Sequence, residues 1–175
     1  DIRDCNFSNN KFGFYIAHGG GSILRNNVFN NNVYNFGNWG SLTSDFNWDI
    51  DTSNTINGKP IYYIIGESGL VFDETMDIGF LALISCDNII VRNLSLGNNF
   101  NGLVVVDTEY STIENCTISN CYWTGILLGR YSKYNTIKDC HIHHIEERPI
   151  YMWSKAENNL IENCVIHDAT IGIYT

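Results

Sequence analysis

The hexapeptides IENCTI (residues 113–118), IKDCHI (137–142) and IENCVI (161–166) repeat one pattern at intervals of 24 residues. An aliphatic residue is followed by two polar residues, a small or apolar one, a variable one, and a second apolar one. Working outward, the same pattern occurs as VRNLSL (91–96), LRNNVF (24–29) and IRDCNF (2–7). The anchors are separated by 22, 67, 22, 24 and 24 residues in chain order. A second apolar run, led by glycine or proline, follows most anchors: GFYI from Gly13, GLVVV from Gly102, GILLG from Gly125, PIYMW from Pro149 and GIYT from Gly172. Strands this short close no core alone, but successive units stacked on one another do. The pattern predicts an all-β, right-handed parallel β-helix of about seven coils.

The third position of the hexapeptide tests that reading. It is occupied by Asp4, Asn26, Asn93, Asn115, Asp139 and Asn163, an Asn or Asp in every copy. A bend between two short strands needs a residue that tolerates positive φ, which Asn and Asp do more readily than other non-glycine residues. Stacked coils also let these side chains hydrogen-bond their equivalents one coil away, as a structural ladder. The next position holds Cys5, Asn27, Leu94, Cys116, Cys140 and Cys164, so repeat geometry accounts for four of the six cysteines. Adjacent coils about 4.8 Å apart bring stacked cysteines within disulfide range, although parallel stacking rarely supplies the required torsion.

Composition agrees. The 175 residues include 24 Asn and 23 Ile but only 2 Pro, with 44% hydrophobic and 17% charged residues. Asn suits tight turns and Ile suits pleated strands. The net charge of −9, with no basic stripe, argues against a nucleic-acid partner. No run of about 18 apolar residues is present to make a membrane span. The chain opens and stops within the repeat, so the expectation is one β-helix unit over residues 1–175 of a longer protein. Within it, residues 36–59 read as a loop excursion rich in Asn, Ser, Asp and Gly.

The stretch DIDTSNTINGKPIYYIIGESG (49–69), followed by GFLALISCDNIIVRNLSL (79–96) and the I-x-N-C-x-I coils, resembles the NosD-type β-helix family. It is also similar to β-helix modules of archaeal cell-surface and S-layer-like proteins. The NGKPIYY segment (57–63) is the part that points to this branch. The resemblance implies an exported, extracellular or cell-surface protein. Its members include an accessory protein for copper-site assembly as well as adhesin-like and lattice-forming modules.

Four kinds of residue carry candidate chemistry. His143 and His167 share an outward column, and His141 lies two residues before His143 on the same face; three imidazoles there are candidate ligands for Cu or Zn. The plainer interpretation is an outward stack of like residues, with no cofactor expected. His144 and Asp168 share the next column, at the turn. Phe36, Trp39, Phe46 and Trp48 in the excursion are candidates for a ligand or interface surface, or else pack the loop against the coils. The acidic pairs Asp107 and Glu109, Glu146 and Glu147, and Asp49 and Asp51 are the candidates for polysaccharide chemistry. Asp107 is expected to pair with Arg130 one coil on. Of the glycosylation sequons, Asn6 is the accessible acceptor, since Asn93 and Asn115 belong to the ladder.

Taken together, these features predict an exported structural or adhesive module of a surface layer or extracellular filament that associates with itself. A carbohydrate-binding or polysaccharide-modifying β-helix and a NosD-type copper-handling accessory protein are the alternatives.

Overall fold

The computed structural model describes residues 1–175, and the chain is all-β apart from one short 3-10 turn at Thr43–Phe46. Its parallel coils number about eight, one more than the repeat count predicts. The extra turn is built by residues 49–56, which the sequence pattern assigns to the excursion.

Each corner of the coil is made by a residue in the left-handed region. Asp4, Asn26, Asn93, Asn115, Asp139 and Asn163 have φ between 51° and 56°. Asn26 Nδ2 donates to Asp4 Oδ1 (3.0 Å), and Asn115 Nδ2 donates to Asn93 Oδ1 (3.0 Å). Two further corner columns behave alike: Asn98, Asn120, His144 and Asp168 form one, and Asn88, Tyr110, Tyr134 and Asn158 the other, all at positive φ. Tyr110 and Tyr134 stack with ring centroids 5.1 Å apart.

Inside the first corner a buried polar column runs beside the apolar core. Asn27 Nδ2 donates to Ile2 O (2.9 Å) and to Asn54 Oδ1 (2.9 Å), and Asn54 Nδ2 donates to Leu24 O (2.9 Å). In later coils the same position holds cysteine. Cys116 Sγ lies 3.8 Å from Val91 O, and Cys140 Sγ 3.7 Å from Ile113 O, so the thiol takes the place of the amide. All six cysteines are free thiols.

Three sheets surround the first core. Strands Val71–Phe72, Ile90–Arg92, Thr112–Glu114, Thr136–Lys138 and Leu160–Glu162 make one. Ser95–Gly97, Thr117–Cys121, His141–Ile145 and Val165–Ala169 make the second. The third contains Lys59–Ile65, Phe80–Ile84, Asn101–Val106, Thr124–Gly129, Arg148–Met152 and Ile173–Tyr174. Leu81, Leu103, Ile126 and Ile150 are in register along this third sheet and point into the first core.

The neighbouring column Ala82, Val104, Leu127 and Tyr151 points the other way, yet it is buried too. A second core covers it, built from Ile16, Leu24, Phe29, Phe36, Phe46, Trp48, Ile50 and Ile56 of the first 56 residues. The coils therefore do not continue in one unbroken stack. At Asn57 and Gly58, with φ of 49° and 82°, a tight hairpin reverses the chain. Thr55–Ile56 pairs antiparallel with Lys59–Ile65, so the sheet is continuous while the strand direction changes. The early turns then pack across the outer face of the third sheet. Phe36 lies 5.0 Å from Phe80, Trp39 4.5 Å from Trp123, and Phe12 4.9 Å from Tyr122, centroid to centroid. Polar bonds fix the register: Phe36 N donates to Asn99 Oδ1 (3.2 Å) and Asn38 N to Asn101 Oδ1 (3.0 Å).

The excursion is shorter than residues 36–59. Tyr34–Trp39 is a strand paired with Phe12–Ala17, and the chain leaves the stack only over residues 40–48. Its Asn and Gly residues read as loop because polar side chains rarely enter a core. Here Asn38 Nδ2 donates to Tyr63 Oη while its Oδ1 is left without a partner, and Asn35, just before the excursion, donates Nδ2 to Asn98 O, which offsets part of the cost of burial. The remaining loop is tied by Asp45, whose carboxylate accepts from Ser41 N (2.8 Å), Leu42 N (2.9 Å) and Gly19 N (3.3 Å).

Two outcomes follow. Leu127→Ala, at an outward position that a bare rod would leave in water, costs about 2–5 kcal/mol in urea unfolding because it opens a cavity between two packed layers; a loss below ~1 kcal/mol, the surface value, would contradict the covered sheet. The Asp45 carboxyl is held at about 2, below its ordinary 3.8, chiefly by the Leu42 N–H. A depressed carboxyl stabilises the fold above its ordinary pKa and ceases to do so as pH falls through the folded value. The difference in urea midpoint between wild type and Asp45→Asn is therefore full above pH 3.8 and closes towards pH 2.

Candidate histidine face and adjoining groove

Strands His141–Ile145 and Val165–Ala169 run parallel, with His141 opposite Val165 and His143 opposite His167. Ile142 and Ile166 alternate inward, so the imidazoles face outward. His143 and His167 stack with centroids 5.3 Å apart and planes 7° apart. His141 leans across the pair, its centroid 4.5 Å from His143 and 5.0 Å from His167. The ring nitrogens meet closely: His141 Nε2 lies 2.8 Å from His167 Nε2, and His143 Nδ1 lies 2.6 Å from His144 Nδ1. His167 Nδ1 donates to Asp168 Oδ2 at 2.8 Å. As the side chains stand, no group of three donors closes around a common point.

The electrostatics follow from this crowding. Burial, and then the neighbouring imidazoles of His141, His144 and His167, push His143 below its ordinary value. The hydrogen bond from His167 holds the Asp168 carboxyl below the usual carboxylate range. The sequence brings these five residues together by column arithmetic alone, because one coil places each residue over its equivalent.

Beside the histidines lies an open groove of about 620 Å³. One wall is the corner column Asn98, Asn120, His144 and Asp168, and the other is Val33 and Tyr34 from the early turns. Tyr34 Oη donates to Glu146 Oε1. Burial first, and then Glu146, raise the Tyr34 hydroxyl to about 12. No local signal identifies Tyr34 in the sequence, since the two residues are 112 positions apart and meet only because the early turns cross the sheet.

The other candidates are dispersed. Phe36 and Phe46 are buried and offer no ring face to a ligand, while Trp48, mostly buried, edges an open cavity with Tyr63 and Ile65. Trp39 is half-buried, wedged between Trp123 and Trp153. The aromatic residues thus seal the second core. Asp107 and Arg130 form no ion pair: the carboxylate accepts from Ser85 Oγ (2.8 Å), and Arg130 donates to Ser41 O (2.6 Å). Both are drawn away by nearer partners at the corner and in the loop. Asp49 and Asp51 converge on Arg25 at 2.6 and 3.1 Å, and Glu147 pairs with Arg148 at 2.9 Å. Glu109 lies in an isolated bridge between Asp87 and Lys133. Asn6 is exposed, whereas Asn93 and Asn115 are tied into the ladder.

Residues 50–175 match the family described as the right handed beta helix region, which is well over half of the chain. The chain belongs to that family. The match begins at Ile50, where the chain re-enters the stack after the loop; most of the layer that folds over the third sheet lies before it. Neither the curated proteins nor the solved structures contain a match. No helix is long and apolar enough to cross a membrane.

Glu146→Gln removes the carboxylate that receives the Tyr34 proton but leaves the burial. The Tyr34 hydroxyl then titrates below about 12 yet above its ordinary 10.0. Difference absorbance of tyrosinate, with Tyr34→Phe identifying the step that belongs to this residue, checks it; an unchanged midpoint would show that the contact does not form in solution.

Proposed function

We propose that this chain is a structural and adhesive β-helix module of an exported cell-surface layer or extracellular filament, and that it associates with further copies of itself. The observation that carries the reading is the coil-to-coil repetition of the corners: an Asn or Asp at positive φ in each copy, with side chains bonded from one turn to the next at Asn26 to Asp4 and Asn115 to Asn93. A stack built this regularly is an extended module with long sides to offer to a second copy. The NosD-like and archaeal surface branch, to which residues 49–69 bear a resemblance, supports the exported location.

A glycan ligand is the second reading, favoured by the groove. A sugar chain laid along the stack would meet Asn98, Asn120, His144 and Asp168 at successive turns, beside the Tyr34 ring.

Light scattering and electron microscopy of the purified chain test the main reading. Wild type forms assemblies that grow with concentration and in which copies contact one another regularly. A wild-type chain that is monomeric at every concentration would sink it.

A further inference from the structure

From the histidine face we infer a single binding site for a divalent transition metal of tetragonal preference, Ni²⁺ or Cu²⁺, held by His141, His167 and His143 and oriented by Asp168. The inference is independent of self-association.

Its basis is the state of each ring nitrogen. His167 Nδ1 donates to Asp168 Oδ2, so His167 Nε2 carries a lone pair. That carboxylate–histidine arrangement is how metal-binding imidazoles are oriented and made more basic. His141 Nε2 lies 2.8 Å from His167 Nε2. Two nitrogens bound cis at about 2.05 Å to one ion would stand about 2.9 Å apart at a right angle and about 3.3 Å apart in a tetrahedron. The observed spacing fits the right angle, which Ni²⁺ and Cu²⁺ prefer and Zn²⁺ does not. In the free protein this contact needs a proton on one of the two nitrogens; a metal ion would replace that proton and bind both. His143 adds the third nitrogen. Its Nδ1 is paired with His144 Nδ1 at 2.6 Å, leaving Nε2 unpartnered. A turn of its ring out of the stack on His167 brings Nε2 towards the other two.

The probe is Ni²⁺, because the exposed thiol of Cys5 would reduce Cu²⁺. Titration calorimetry of Ni²⁺ into metal-free protein, with any affinity tag removed, should give one equivalent. His141→Ala and His167→Ala should each weaken binding at least tenfold, and Asp168→Asn by about 10–100-fold as for other outer partners of metal-binding histidines. His18→Ala, which alters the one histidine outside the cluster, should bind as wild type does. Circular dichroism confirms that each variant is folded, and Asp168→Asn keeps the test valid if an alanine variant is not. No stoichiometric binding to wild type, or binding that survives the His141→Ala/His167→Ala double variant, overturns the inference.

Discussion

A chain that coils around a core must turn several times per circuit, and at each turn one residue has to accept left-handed backbone. That conformation costs an L-residue roughly 1–2 kcal/mol. Of the 23 non-glycine residues at positive φ, 15 are Asn or Asp, the types that lose least there. Everything else in the molecule depends on this constraint. It sets the length of a coil, and the length of a coil decides which residues lie over one another. It places His143 over His167, Tyr110 over Tyr134, and one thiol over the next.

The corner also explains why asparagine and cysteine share a position. The residue just inside the bend faces carbonyls of the preceding turn, and both side chains can donate to them. Asn27 and Asn54 do so with an amide where the amino-terminal turns are wide enough for aromatic residues. Cys116, Cys140 and Cys164 do so with a smaller group where the core is Ile and Leu. Deeper in, the Cys121 thiol is pushed up to about 12 by burial, which outweighs the opposing backbone hydrogen bond at Asn99. These thiols are packing groups first.

Much of the architecture is readable from the repeat, because period and corner chemistry are local. Asn93 and Asn115 announce their φ by residue type, and His143 and His167 announce their contact by spacing. The fold-back of the amino-terminal turns was legible only in part. GLVVV from Gly102 and GILLG from Gly125 lack the alternation of a half-exposed strand, which signals burial on both faces. The Asn57–Gly58 pair is a strong hairpin signal. Neither says what covers the sheet; that depends on Phe36 meeting Phe80 and Trp39 meeting Trp123, contacts between distant segments. The groove was illegible for the same reason, since its two walls come from segments far apart in the sequence.

Because the second core is completed by Ala82, Val104 and Leu127, residues 1–56 leave the ribosome before the sheet they rest on, which needs residues 80–127. Phe29, Phe36 and Phe46 must stay in water meanwhile, with long loops still to be closed. Residues 1–56 can dock on that sheet only then. A nascent chain halted before residue 127 would therefore present a sticky aromatic segment that the folded molecule hides.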